Sequence, residues 1–305
     1  MARSRPTSKF GIGEWYGKSF VLLTPEERKQ YAEMQGTQAS HQQLCPFQTT
    51  TKHPVYCNKT GGVCSLRIYH KDATGQITAL VPPQGRLRCT CPNRFKQDNL
   101  IYKWVASKII GTETPHILKE ISFLESTIVP EDGVEVDQAE AVGMIDNILV
   151  APGTDPLRWC ALEIQAVYFS GAAMGKDYSV IRSHEGDTLP FPGGNRRPDY
   201  RSSGPKRLMP QLQIKVPSLR RWGKKMAVIV DEDFFRNMGP MATVGDVSNC
   251  DVVWFVIGFD EQADGVQLVL RSICMTTLEH AVDGLTGGIP VSLGIFEDRI
   301  RSKLT

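Results

Sequence analysis

No apolar run in this chain is long enough to cross a bilayer. The longest, VVWFVIGF over 252–259, falls well short of the roughly 20 residues that a spanning helix needs. The opening stretch MARSRPTSKFGIGEWYGKSF carries charge but lacks the apolar centre of a secretion signal. The expectation is a soluble, cytoplasmic protein. No internal repeat marks a solenoid. No paired Cys-x-x-Cys marks a standard zinc ribbon, although there are eight cysteines. Net charge is only +2, which by itself excludes neither an acidic nor a basic partner.

What is present is a chain of 305 residues, 41% hydrophobic and 8% aromatic, enough for one large domain or two smaller ones. Its charge is unevenly placed. Glu113–Glu163 holds eleven acids against two Lys or Arg, whereas Asn195–Lys225 holds ten Lys or Arg against one acid, Asp199. Such a juxtaposition suits metal-binding carboxylates beside a polyanion-binding surface; two solvated faces of opposite sign are the alternative.

TPEERKQYAEMQG (24–36) reads as a helix, with Thr24 as cap, Pro25 at the first position and Gly36 as stop. A turn-rich region follows over about 41–95. Further helices are expected at 99–111 and 114–126, the second opening on Thr114–Pro115, and shorter ones at 231–238 and near 278 and 295. Strands are expected at 143–151, 159–169, 225–230, 251–259 and 266–275. The segment 184–220 shows no clear element beyond a turn or two of helix between Pro210 and Arg221. The pattern predicts an α/β or α+β fold with a mixed sheet flanked by helices.

Five cysteines crowd into 45–91, most beside a turn former, while Cys160, Cys250 and Cys274 lie in or beside apolar strands as buried thiols. Four thiolates gathered on turns can make a closed tetrahedral site for zinc or iron, structural rather than catalytic. Cys45, Cys57, Cys64 and Cys91 are separated by eleven, six and twenty-six residues. Cys91 is preferred to Cys89 because it repeats the Cys-Pro turn of Cys45; His41, His53 and His70 are possible substitutes without clear spacing.

Within RWCALEIQAVYFSG (158–171), Glu163 and Gln165 interrupt an apolar run. If 143–168 folds as a hairpin centred near Gly153–Thr154, Asp146 stands opposite Ala161 and diagonal to Glu163, at about 7–8 Å between backbones. Cys160, Leu162, Ile164 and Ala166 then face a core. Two carboxylates at that range can share Mg²⁺, helped by a carbonyl near Ile164; a polar face turned to solvent is the alternative. Asp followed by Glu-x-(Lys or Gln) on a strand is the arrangement of PD-(D/E)xK nucleases. Gln165 lacks the positive charge of the usual lysine and can only orient water or metal through its amide. Glu135 is a further candidate acid, with Asp137 and Glu140 competing for that role.

LCPF, YCNK, GVCSL and CTCPNR, followed by MIDNILV and ALEIQAVYFSG, together resemble the NotI family of type II restriction endonucleases. The likeness is clear over about 40–170 and weaker through the basic segment to DVVWFVIGFD. The resemblance implies a bacterial, Mg²⁺-dependent enzyme with a PD-(D/E)xK core that cuts double-stranded DNA at a GC-rich palindrome. It also implies a homodimer, a cognate DNA methyltransferase and a role in anti-phage restriction. Asp146, Glu163 and Gln165 then map to the catalytic positions, and Cys45, Cys57, Cys64 and Cys91 to an iron-binding site. The expected division is 1–110, carrying the metal site in support of recognition, and 111–305, the nuclease core with its basic segment 195–225. Arg196, Arg197, Arg201, Lys206, Arg207, Lys215, Arg220, Arg221, Lys224 and Lys225 are candidates for phosphate or guanine contacts. Two competing readings are a DNA-binding protein with a degenerate core and a nuclease subunit of a larger defence complex; the intact Asp146/Glu163 pair disfavours the former.

Overall fold

The computed structural model describes residues 7–125, 141–288 and 291–304. Strand β1 (Thr7–Trp15) and the short β2 (Lys18–Ser19) lead into α1 (Pro25–Glu33) and α2 (Gln38–His41). Thr24 caps α1 in a full capping box with Glu27, so this helix is specified by its own residues. Next come β3 (Val63–Lys71), β4 (Ile77–Ala79) and β5 (Arg88–Cys89); the first sheet runs β2-β1-β3-β4, with β5 also paired to β3. Helix α3 (Leu100–Ile110) ends at Gly111 in the left-handed region.

The second sheet is six-stranded among the described residues, ordered β13-β12-β11-β8-β7-β6. Strands β6 (His116–Glu125), β7 (Ala141–Val150) and β8 (Trp159–Ile164) form an antiparallel meander. A long excursion follows through β9 (Phe169–Gly171), α4 (Gly175–Ser183), β10 (Arg196–Pro198), α5 (Tyr200–Ser203) and α6 (Met209–Arg221). It returns to β11 (Met226–Asp231), parallel to β8. Helix α7 (Glu232–Arg236) precedes β12 (Val252–Gln262), parallel to β11, and β12 pairs with β13 (Gly265–Thr276) as a hairpin. Helices α8 (Leu278–Thr286) and α9 (Leu293–Leu304) close the described chain.

The fold is therefore mixed α/β with a mixed sheet between helices. Alternation along the strands assigns the two faces. Cys160, Leu162, Ala227 and Ile229 pack with Ile101, Tyr102 and Val105 of α3. Ala161, Val228 and Val230 pack with Leu212, Val216 and Leu219 of α6 and Ala281 of α8. Ile164 and Ala166 pack on the α3 side, as the alternation in ALEIQA requires.

Three expectations are corrected. Residues 114–126, read as a helix, contain strand β6: HILKEISFLE has helical propensity, but pairing with β7 satisfies its backbone groups, and tertiary context overrides the weaker local preference. The turn-rich reading of 41–95 missed β3, and β1 was not anticipated; these two pair over almost their whole length. The segment before Arg221 holds a 13-residue helix, with Pro217 inside it, rather than a turn or two.

Glu14 and Arg94, both fully buried, join the two sheets. Arg94 Nε donates to both Glu14 carboxylate oxygens at 2.8 and 2.9 Å, and its Nη2 donates to the Val266 carbonyl of β13 at 2.9 Å. Arg94→Met would strand a buried carboxylate, so the urea-unfolding free energy should drop by about 3–5 kcal/mol. Glu14→Gln with Arg94→Met should cost less than the sum of the singles. A loss below about 1 kcal/mol for Arg94→Met would show that water reaches Glu14.

Candidate active site and cysteine cluster

Strands β7 and β8 pair with Asn147 opposite Leu162 and Val150 opposite Trp159. The turn centre lies between Thr154 and Asp155, one residue later than expected. Continuing the register sets Asp146 opposite Glu163, where the sequence reading had it diagonal. The pairing shifts by two residues, so both acids keep one face. That face is the one covered by α6. Glu163 is buried at 8% exposure, whereas the Asp146 side chain is 57% exposed, so the pair opens to solvent on one side.

A third side chain joins them. Lys215, in the middle of α6, is 3% exposed. Its Nζ donates to Glu163 Oε2 at 2.9 Å and lies 3.8 Å from Asp146 Oδ2. Sequence reasoning placed Lys215 among the surface cations. Its helical position shared with Leu212, Val216 and Leu219, all buried, was the available signal of a lysine on the apolar face.

Burial pushes the Glu163 carboxyl up to about 7; Lys215 pulls it down, and the Asp146 charge pushes it up further. Asp231, at the end of β11, is also raised to about 7 by burial, against the Phe234 and Cys89 N–H groups that favour its charged form. Gln165 does not reach the acids: its Nε2 donates to the Ala166 carbonyl at 2.6 Å. It lines a cavity of about 570 Å³ with Lys59, Tyr168, Arg196 and Arg207. Glu135, Asp137 and Glu140 lie outside the described residues.

The basic residues divide into two groups. Arg197, Arg201, Lys206 and Arg207 are exposed, and Arg207 lies over the Tyr168 ring at 4.6 Å. Arg196, expected at the DNA surface, is instead buried, with Nη1 2.7 Å from Asp177 Oδ2 and Nη2 donating to the Ala173 carbonyl. Arg220 is held by Asp251 and Glu279. Lys224 donates to the Leu157 carbonyl and Lys225 to those of Ser248 and Cys250. Arg221 is exposed, and its Nη2 donates to the Ser218 hydroxyl at 3.4 Å.

The four cysteines come from two backbone clamps. Leu44 and Tyr56 form an antiparallel bridge, with Cys45 N–H bonded to the Val55 carbonyl and Cys57 N–H to that of Gln43. Cys91 N–H bonds to the Cys64 carbonyl. The clamps face each other: burial raises the thiols of Cys57 and Cys91, and Cys45 adds to both shifts. Cys64 is raised well up by burial, then by Glu14 and Cys91. Cys89 turns away, fully buried in the α3-side core with its thiol 3.0 Å from the Cys91 carbonyl. Among the described residues, however, no group of three or more His, Cys, Asp or Glu side chains is disposed to hold a metal ion. The four thiols do not form a coordination sphere among the described residues.

The family model "Restriction endonuclease NotI" matches residues 29–270, which take in both the cysteine clamps and the acidic pair. The chain belongs to the NotI restriction endonuclease family. No curated protein matches it. As a member, it is a type II site-specific deoxyribonuclease, and its substrate is double-stranded DNA. Membership favours the enzyme over the inactive DNA-binding reading. Among the described residues no helix is long and apolar enough to cross a membrane.

The raised Glu163 value has a measurable consequence for the metal-free endonuclease. The folded protein keeps a proton to about pH 7 that the unfolded chain loses near 4.5. The stability this group contributes is full below about 4.5 and is lost as pH rises through about 7. The urea midpoint should therefore fall between pH 5 and pH 8, and fall less in Glu163→Gln. An equal fall in both proteins would assign the pH dependence to other groups, Asp231 among them.

Proposed function

We propose that this endonuclease hydrolyses double-stranded DNA at a GC-rich palindrome through a Mg²⁺-dependent PD-(D/E)xK site built on Asp146 and Glu163, acting as a homodimer. The observation that carries the reading is the pairing of these two acids on adjacent strands, one buried and one open to solvent. The donor set fits Mg²⁺, which takes one or two protein carboxylates and completes its shell with water and phosphate oxygens. When bound, Mg²⁺ acidifies water and offsets phosphate charge. The chain's own residues do the rest. Glu163 and Asp146 hold the cation side of the site, and the solvent-facing side of Asp146 admits the phosphate. Gln165 brings no charge, and its amide bonds to the Ala166 carbonyl rather than to the acids. The exposed cations Arg197, Arg201, Lys206 and Arg207 neutralise backbone phosphates on the strand leading into the site. In hydrolysis, a water oxygen bonds to phosphorus, the phosphorus–oxygen bond to the leaving strand breaks, and solvent exchanges the two protons.

In the same reading, residues 1–110 support recognition and 111–305 carry the cut. Cys45, Cys57, Cys64 and Cys91 take one iron or zinc by losing their protons, which burial makes costly at Cys57, Cys64 and Cys91 without metal. A cognate methyltransferase protects the host site in an anti-phage restriction system.

Incubation with unmethylated GC-rich plasmid and Mg²⁺ should yield discrete bands. Glu163→Ala should slow cutting at least about 1000-fold. Undiminished banding in that variant would remove Glu163 from the site. Metal analysis of protein as purified should find roughly one equivalent of iron plus zinc per chain, kept in Cys89→Ser and lost in Cys91→Ser. Far less than one equivalent in the unaltered protein would rule out the four-thiolate site.

A further inference from the structure

A lysine is among the residues least often buried, because its ammonium loses water and must be repaid by close partners. Lys215 is nonetheless almost fully buried, and the partner it holds at 2.9 Å is the buried acid of the site, with the exposed acid 3.8 Å away. Its carbon stem lies on the apolar stripe of α6 between Leu212, Val216 and Leu219, so the ammonium is the only part that reaches the polar end of the sheet face. Helix packing on both sides holds the charge at one place relative to β7 and β8.

The strand position that would ordinarily carry a positive charge holds Gln165, and its amide is turned to the Ala166 carbonyl. Among the described residues, the ion pairs of the two carboxylates are both with Lys215. Lys215 supplies a positive charge from a different element, on the same sheet face. Asp146 is open to solvent, so a phosphate entering there meets the ammonium behind the carboxylates.

We propose that Lys215 is a catalytic residue of this endonuclease, delivering from α6 the positive charge that Gln165 cannot. Its ammonium donates hydrogen bonds to the scissile phosphate and to the attacking water, and keeps its own protons throughout; the water proton and the proton for the leaving oxygen exchange with solvent. This rests on the reading of Asp146 and Glu163 as the metal-holding acids. The competing role is structural, a counter-charge that only lets Glu163 be buried.

Two readouts separate these roles. Lys215→Gln should slow Mg²⁺-dependent cutting by about 100-fold or more, and adding Gln165→Lys to it should recover at least about tenfold of that loss. A structural counter-charge would not be restored from the strand. The second readout needs no metal. In EDTA, binding is compared for two duplexes bearing the cut site, one with a normal phosphate and one with a single uncharged methylphosphonate at the cut position. The unaltered protein should lose about tenfold on the second duplex, and Lys215→Gln should lose almost nothing. Should Lys215→Gln fail to fold, Glu163→Gln with Lys215→Gln removes the buried pair together and is compared with Glu163→Gln alone on the same duplexes. Equal losses with and without Lys215 overturn the proposal. If the unaltered protein cuts no DNA, the reading of the two acids falls first. If it cuts and Lys215→Gln cuts as fast, only the role of Lys215 falls.

Discussion

The five-stranded and six-stranded sheets of this endonuclease meet around one guanidinium. Arg94 belongs to the Cys-Pro-Asn-Arg turn, yet it pairs with Glu14 on β1, bonds to Gln97 and to the Val266 carbonyl on β13, and lies over the rings of Phe47 and Phe259. The Ser65 hydroxyl on β3 donates to the same Glu14 carboxylate at 2.8 Å. A buried ion pair earns little net stability; with all its hydrogen bonds made it specifies one arrangement, because any slip leaves a charge unpaired. Arg67, 2% exposed, adds a second link by gripping Glu261 on β12 with two nitrogens, and Asp231 adds a third by accepting the Cys89 N–H. The cysteine turns and the six-stranded sheet are therefore tied by polar contacts whose geometry tolerates little error.

That tie has a consequence for the acidic pair. Beyond the end of β8 the chain runs past Gln165 to Val167, whose N–H bonds to the Cys89 carbonyl. The cysteine-bearing segment thus holds the chain immediately after the acids. On the other side, α6 packs Leu212, Val216 and Leu219 on the sheet and fixes Lys215 against Glu163. The local charge balance follows from this packing: two acids on adjacent strands repel, and the helix supplies the cation that makes their approach tolerable.

Local signals were legible wherever the residues that decide an element lie within a few positions of it. Helix α1 carries its own cap and α3 its own left-handed stop, and the alternation Cys160, Leu162, Ile164 correctly assigned the core face of β8. Segment 114–126 was misread because its strand state depends on β7, a partner its own residues do not name. The register of β7 on β8 was off by two residues because the turn closes with the Ala151 N–H on the Arg158 carbonyl, later than its glycine suggests, yet the even shift preserved the face. Arg196 looked like any other arginine in a basic run; only the fold shows Asp177 waiting beneath it.

By itself, the sequence determined the family, through cysteine-turn motifs and the Asp…Glu-x-Gln order, and with it the kind of reaction. It also determined which acids share a face, because side-chain alternation along a strand is a local property. Tertiary structure alone decided that Arg196 is internal and that Lys215 joins the acids. Those contacts join residues 19 and 52 positions apart, where the burial that gives a side chain its role is set by the packing of whole elements and leaves no mark within the local pattern.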